Sequence, residues 1–201
     1  MSEIRGALEE VRTRLNEFIS AAAPRPGGWV ILSNIYDQHG EPYEAAKDKL
    51  VMVLANMQRE NSVSTYNQAV PATTDDGYVT LAPPLYIDLY VFFYANFSDA
   101  TYTEGLGVIS YTISFFQRNP VFTRKTLPGL DPAIDKLVFE LTNLDVTEMN
   151  HLVGMLGANY LPSVFYKVRM IPFQAGAMQT AVAGVKQLQN PSDVDDPGLD
   201  P

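Results

Sequence analysis

Hydrophobic side chains recur with period two along residues 85–96, where an extended chain would have one aliphatic side and one mostly aromatic side. The first side carries Leu85, Ile87, Leu89, Val91 and Phe93, and the second carries Tyr86, Asp88, Tyr90, Phe92 and Tyr94. A helix would bury Asp88 and Asn96 in the middle of an apolar stripe, so the pattern favours a strand. The preceding Pro83-Pro84 cannot donate ladder hydrogen bonds, and pairing is therefore expected from about Leu85. Because both sides need a cover, this strand is predicted at the centre of a sheet.

Four other segments have the composition of strands. Residues 29–36 have this composition, residues 50–57 are apolar on both sides, and residues 137–142 alternate Leu137, Phe139 and Leu141 with more polar neighbours. Residues 164–171 alternate apolar positions with Lys167 and Arg169 and are read as the last sheet strand. Between residues 58 and 82 the chain is polar, which predicts an exposed hairpin or long loop with its turn at Asp76-Gly77.

Three segments have helical periodicity. The first contains Ile4, Leu8, Val11, Leu15, Phe18 and Ile19, and ends at the Pro- and Gly-rich residues 24–28. The second begins at Thr101, which forms a capping-box pattern with Glu104, and continues in the stripe Leu106, Ile109, Ile113 and Phe116. The third has Asp145 as N-cap, Glu148 three residues later, Leu144 and Met149 as a hydrophobic staple, and Gly157 beyond its end.

These elements predict an α/β (α+β) fold, with a mixed, mainly antiparallel sheet of about five or six strands and three helices on one face. Residues 1–173 are expected to form this domain. Residues 174–189 are small and moderately apolar, as in an extended arm, and residues 190–201 form an Asp- and Pro-rich tail that is expected to be disordered on its own.

Composition narrows the function classes. The formal net charge of −9 and pI near 4.6 argue against nucleic acid as a partner, because phosphate binding needs clustered Lys and Arg. The absence of cysteine removes disulfides, thiolate metal sites and a cysteine nucleophile. The acidic N-terminus predicts no signal peptide, no apolar run is long enough to span a membrane, and we expect cytoplasmic assembly. Charged residues make up only 18% of the chain, which favours an oligomer.

Several segments occur in an order similar to that found in a known protein family. They are residues 30–35, Gln58-Arg59-Glu60-Asn61, Pro83-Pro84-Leu85 with the tyrosine-rich strand after it, the helix from Tyr102, the strand at residues 137–143, the helix at residues 145–157, and residues 160–168. In this order they resemble the N-terminal-type domain of cap, or tail-terminator, proteins from phage-tail-like contractile injection systems. The resemblance spans residues 2–172, and no single motif in it has the specificity of a metal-ligand or phosphate-loop signature.

The resemblance implies a structural role without catalysis or cofactors. Six copies would form a ring that closes the inner tube and the contractile sheath at the end away from the baseplate. The expected partners are other copies of the chain, the terminal sheath layer, the terminal tube ring and a paralogous cap protein, in a particle that is either membrane-anchored or released. An extended arm can add as a strand to an open sheet edge, and residues 174–189, including Gln174, Met178 and Val182, are the candidate arm.

Each of the remaining candidate contact residues has two interpretations, one functional and one structural. Tyr86, Asp88 and Tyr90 would line an interface or groove, although tyrosines beside a core strand more often pack under the protein's own helices. Asp88 on an apolar strand needs a partner, for which Lys167, Arg169 or an interface arginine is expected. Arg124 and Lys125 would meet an acidic neighbour in a ring, or lie in a solvated loop.

Two alternatives from other classes remain open. One is an enzyme that uses scattered carboxylates such as Asp88 or Glu140, although no hydrolase, nucleotide-binding or zinc-protease motif is present. The other is a small-ligand-binding or regulatory module with a pocket on the aromatic strand face. His39 and His151 have no neighbouring ligand residues at metal-site spacing, so no metal is expected.

Overall fold

The computed structural model describes residues 3–37, 39–60, 68–71, 77–81, 85–157, 160–173 and 178–183. The chain divides into two compact units. Unit 1 comprises Met1–Ser64 and Pro84–Phe173, and unit 2 comprises Thr65–Pro83 and Gln174–Pro201. Each unit is built around its own sheet.

Unit 1 contains three α-helices and six strands within the described residues. Its elements are α1 (Glu3–Ala22), β1 (Val30–Leu32), β2 (Lys49–Arg59), β5 (Leu85–Asn96), α2 (Tyr102–Arg118), β6 (Val121–Thr123), β7 (Lys136–Leu141), α3 (Val146–Met155) and β8 (Ser163–Phe173). The strand order is β1-β2-β5-β8-β7-β6, and only the β1–β2 pair is parallel. The predicted α+β class and the mixed, mainly antiparallel sheet are confirmed. The strand at residues 85–96 lies in the sheet interior, as its two apolar sides indicated.

Unit 2 contains a three-stranded antiparallel sheet in the order β3-β4-β9. Its strands are β3 (Gln68–Pro71), β4 (Gly77–Leu81) and β9 (Met178–Ala183). The β3–β4 pair is the hairpin that the polar stretch predicted, and Asp76 of the predicted turn lies outside the described residues. Part of the candidate arm forms β9, which pairs with β4. Residues 190–201 also lie outside the described part of the chain.

The two faces of the unit 1 sheet pack against different helices. On the first face, α1 and α2 cover the aliphatic side of β5, with Leu15, Val91 and Phe116 in one buried cluster. On the second face, Phe92, Tyr94 and Phe165 form a smaller cluster against which the apolar side chains of α3 pack. The prediction that all three helices share one face is therefore wrong. The aromatic side of β5 needs its own cover, and α3 provides part of it.

The structure corrects several local predictions. The strand predicted at residues 29–36 is only three residues long, and the structure contains a short edge strand, β6, that the sequence did not predict and in which Phe122 is buried. Thr101 forms no capping hydrogen bond, because its hydroxyl instead donates to Asp48 Oδ1 over 2.7 Å. The buried stripe of α2 is also rotated relative to the prediction.

The rotation of α2 has a steric cause. A Cβ atom at Gly105 would lie 3.0 Å from the Phe97 ring, so the glycine allows the helix to approach this side chain closely. This contact turns Val108, Thr112 and Phe115 toward the core and leaves Leu106 and Ile113 exposed. Leu141, predicted to face inward with Leu137 and Phe139, is half exposed at the end of its strand.

Candidate interaction surface

Asp88 is a buried carboxylate on the second face of the sheet, and Lys167 is its partner. Lys167 Nζ lies 2.8 Å from Asp88 Oδ2, and the Asp88 side chain is only 3% exposed. The β5–β8 register shifts between Ile87 and Leu89, so that a bulge in the pairing lies at Asp88. The structure thus brings together two residues that the sequence analysis paired on the cost of burying a lone carboxylate.

The pKa values of Asp88 and Lys167 are shifted by different causes. Burial raises the pKa of Asp88, and the hydrogen bond and positive charge of Lys167 only partly oppose this effect, while Glu60 raises the pKa further. The hydrogen bond to Asp88 raises the pKa of Lys167, which remains a cation. Asp88 Oδ1 is buried and has no hydrogen-bond partner among the described residues.

Arg169, two residues after Lys167 on the same strand, pairs with two further acids. Its Nε and Nη2 lie 3.0 and 2.9 Å from Glu60 Oε2, and its Nη1 lies 3.2 Å from Glu140 Oε1. Glu60 is buried, and its backbone N–H donates to the Tyr86 carbonyl oxygen over 2.9 Å. The guanidinium therefore ties the end of β2 to β7 and β8.

Beside the charged cluster, an open groove of about 320 Å³ runs between α3 and the sheet. Its apolar lining is Ala55, Tyr90, Leu144, Leu152, Met155 and Phe165, and its polar lining is Asn56, Gln58, Glu148 and His151. The Tyr90 and Phe165 rings stack with centroids 5.8 Å apart, and the Tyr90 hydroxyl donates to Gln58 Oε1 over 3.2 Å. Lys167 Nζ lies 5.9 Å from the Tyr90 ring centroid, which joins the groove to the cluster.

The helix that borders this groove has a well-defined start but packs lightly. Asp145 Oδ1 accepts from the Glu148 N–H, and Glu148 Oε2 accepts from the Asp145 N–H, so the predicted capping box is confirmed. Gly157 has φ +65 just beyond the helix, which is the role predicted for it. No residue of α3 is fully buried, and Met155 is 76% exposed.

The outer edge of β2 is the longest open strand edge in the described part of unit 1. The strand extends over Lys49–Arg59, but β1 pairs only with Leu50, Val51 and Met52. From Val53 onward no described strand pairs with the side of β2 that faces away from β5. Met57, near the end of this edge, is 53% exposed. Such an edge offers main-chain donors and acceptors to a further strand.

The other predicted contact residues lie apart from this surface or outside the described part. Tyr86 is half-buried near the start of β5, opposite Pro172. Arg124 and Lys125 are exposed in the loop after the edge strand β6, beside an open depression that includes Asp135. The backbones of Met178 and Val182 pair with Leu81 and Tyr78 in unit 2, and Gln174 lies outside the described residues.

Sequence reasoning gave Glu60 no contact role, although Glu60 belongs to the Gln58-Arg59-Glu60-Asn61 segment that contributes to the family resemblance. No local pattern indicates its partner, because Arg169 is 109 residues away along the chain. Only the sheet register brings the two together. Among the described residues, no group of three or more His, Asp or Glu side chains has an arrangement suited to a metal ion. None of the described helices is long and apolar enough to cross a membrane.

Comparisons with known proteins agree with this architecture. The fold is similar to the sheath/tube terminator of an extracellular contractile injection system, PVC, in its extended state. That match has 9% identity and a TM-score of 0.56, and covers 93% of this chain and 62% of the other. It is also similar to the anti-feeding prophage cap, the AFP tube terminating cap, with 13% identity and a TM-score of 0.55, covering 90% of this chain and 59% of the other.

The chain thus spans about three-fifths of the length of these structural neighbours. No curated protein sequence matches it. The model of the family described as the Pvc16 N-terminal domain matches residues 9–187, which include strands of both units. The chain therefore belongs to the Pvc16 N-terminal domain family.

Proposed function

We propose that this protein is a structural cap that forms a ring and terminates the inner tube and contractile sheath of a phage-tail-like contractile injection system, at the end away from the baseplate. The observation that carries the proposal is the family match over residues 9–187. The likeness in fold to a sheath/tube terminator and a tube terminating cap supports it. The finer features of the proposal are six copies per ring, contact with both sheath and tube, and a paralogous cap in the same particle.

The chemistry of the second sheet face supports assembly over catalysis. Asp88 and Glu140, the carboxylates that an enzymatic alternative would use, are engaged by Lys167 and Arg169. A carboxyl group that is held by a cation within the sheet is not free to approach and deprotonate a substrate, which makes it a poor general base. The groove beside α3 is open rather than enclosed, which suits a protein segment better than a small molecule.

The open edge of β2 is the proposed contact for a strand from the sheath or tube. An added strand would gain main-chain hydrogen bonds along the residues from Val53 to Arg59, and the neighbouring groove would select its side chains. The side of β9 that faces away from β4 is a second proposed site for strand addition, in keeping with the role expected of residues 174–189 as an arm.

The proposal is tested by electron microscopy of particles from cells that carry and cells that lack the gene. A terminator stops polymerisation, so its loss is expected to give tubes and sheaths of irregular or excessive length that lack the terminal disc. Restoring the gene should restore both the length distribution and the disc. Particles with unchanged lengths and unchanged ends in the deletion strain would contradict the proposal.

A charge on the β2 edge tests the proposed contact. Met57→Lys places an ammonium group on an exposed edge position, where a charge discourages strand addition. We expect at least a tenfold loss of capped particles, with the isolated protein retaining its unfolding midpoint. Leu106→Lys is the matched control, because Leu106 is similarly exposed on α2, away from the edge. Equal capping by the two variants would show that β2 is not the contact.

A further inference from the structure

Five charged side chains on the second face of the unit 1 sheet make two sets of ion pairs, Lys167 with Asp88, and Arg169 with Glu60 and Glu140. The negative charge of Glu60 also acts on Asp88. Glu140 is half exposed to solvent, whereas Glu60 and Asp88 are buried. Two buried carboxylates on adjacent strands repel each other when both are ionised, which favours a proton on one of them.

The sheet register places the two buried acids side by side. Gln58 pairs with Asp88 and Arg59 pairs with Ile87, while the Glu60 N–H donates to the Tyr86 carbonyl oxygen. Glu60 is therefore opposite Tyr86, two residues from Asp88 along β5, and diagonal neighbours of this kind lie on one face within side-chain reach. Each acid also has its own cation, since Glu60 binds Arg169 and Asp88 binds Lys167 through Oδ2. Asp88 Oδ1 is a buried oxygen without a hydrogen-bond partner among the described residues.

We infer that Asp88 is protonated on Oδ1 in the folded protein and donates this proton in a hydrogen bond to the ionised carboxylate of Glu60, so that the cluster is a proton-dependent lock. Arg169 keeps Glu60 ionised, and Lys167 donates to Asp88 Oδ2. The lock then has two cations and two anions, and its formal charge is zero. Both oxygens of Asp88 are satisfied in this arrangement.

The electrostatics of Asp88 agree with the lock. Burial raises its pKa above the ordinary value of 3.8, and the negative charge of Glu60 raises it further, against the opposing effect of Lys167. Tyr90 on β5 and Gln58 on β2 flank the acid on the same face. Beyond them, α3 contributes Glu148 and His151 to the groove lining. His151 is therefore substituted separately as a control.

The lock lies where the chain leaves unit 1. The chain passes between the units after the ends of β2 and β8 and before the start of β5, and these three strands are neighbours in the sheet. Arg169 on β8 reaches Glu60 at the end of β2, and Asp88 on β5 lies between them in the strand order. Loss of the shared proton would leave two adjacent anions and weaken the link among the three strand ends.

The sign of the pH dependence follows from linkage. A carboxyl group whose pKa is raised on folding binds its proton more tightly in the folded state than in the unfolded state. Its contribution to stability is complete below the ordinary value of 3.8 and is lost as the pH rises through the folded pKa. Across that window one extra bound proton corresponds to a change of about tenfold in the unfolding equilibrium constant per pH unit.

Asp88→Asn tests the lock in the full chain, because an asparagine copies the protonated acid. Its amide can donate to Glu60 and its oxygen can accept from Lys167. At neutral pH we expect the variant to be at least as stable as the wild type in chemical denaturation, and to lack the wild-type fall in stability with rising pH. His151→Gln, the control, should retain that fall. A variant that is less stable than the wild type at neutral pH would show that Asp88 serves as an anion for Lys167, and would overturn the inference.

A direct measurement on the wild type removes any dependence on substitution. In the protein labelled with carboxyl-¹³C aspartate, we expect the Asp88 carboxyl resonance, assigned by its absence in Asp88→Asn, to report the protonated form at about pH 6, where an ordinary aspartate is ionised. Amide exchange at the ends of β2, β5 and β8, measured relative to the intrinsic exchange rate at each pH, should accelerate as this resonance titrates. An Asp88 carboxyl group that is ionised at about pH 6 would contradict the lock. Neither measurement depends on the cap assignment.

Discussion

At the scale of single residues, Phe116 on α2 contacts aromatic rings on several strands of the sheet. Its ring stacks on Phe139 of β7 with centroids 4.5 Å apart, and lies 4.6 Å from Tyr166 of β8 and 5.3 Å from Phe93 of β5. The side chain is only 2% exposed. Aromatic pairs at these distances add to the free energy gained from burial. Phe116 therefore holds α2 across three neighbouring strands.

Truncation of this ring is expected to be costly. Phe116→Ala should lower the free energy of unfolding by about 3–5 kcal/mol, because it removes buried surface and leaves a cavity. Leu106→Ala, on the exposed side of the same helix, should cost less than about 1 kcal/mol. Chemical denaturation of the two variants measures the difference. Similar losses in both would mean that α2 packs through the stripe predicted from the sequence rather than the one in the structure.

Residue-level prediction succeeded where a local rule identified an unfavourable side chain. Asp88 interrupts an apolar strand, so the sequence alone demanded a cation, and Lys167 fills that role. Glu60 follows its strand without any such conflict, and its link to Arg169 depends on register across three strands. The bulge opposite Asp88 places one extra residue on β8, and no glycine marks it in the sequence.

At the scale of elements, α3 shows what local sequence specifies. Its start and end follow from Asp145, Glu148 and Gly157, which act on backbone groups a few residues away. Which sheet face it covers depends on the aromatic side of β5, more than fifty residues earlier in the chain. The rotation of α2 depends similarly on its contact with Phe97. Local rules therefore predicted element type better than element placement.

Removal of the α3 cap should loosen this helix without unfolding the unit. Asp145→Ala deletes the side chain that accepts from the Glu148 N–H, at a cost of about 1 kcal/mol. Because no α3 residue is fully buried, we expect faster amide exchange confined to Val146–Met155. Val146→Ala, at a neighbouring position that is 79% exposed, is the control and should leave exchange unchanged. Exchange that accelerates equally across β5 would show that α3 is integral to the core.

At the scale of the whole molecule, the chain combines a complete six-stranded unit with a second small sheet, and the family match includes strands of both. The structural neighbours are longer, so functions in their remaining parts are not transferred to this chain. Charged residues make up only 18% of the chain, which is below the share usual for soluble domains. The order of sequence segments indicated this family, whereas the open β2 edge became visible only in the structure.

The most direct test of the cap assignment is the position of the protein on the assembled particle. Particles that contain an epitope-tagged copy of the chain, complementing the deletion, are labelled with gold and viewed by electron microscopy. A terminating ring predicts label at one end of each particle, the end opposite the baseplate, and on both extended and contracted particles. Label along the whole length, at the baseplate, or absent from purified particles that contain every other component would contradict the assignment.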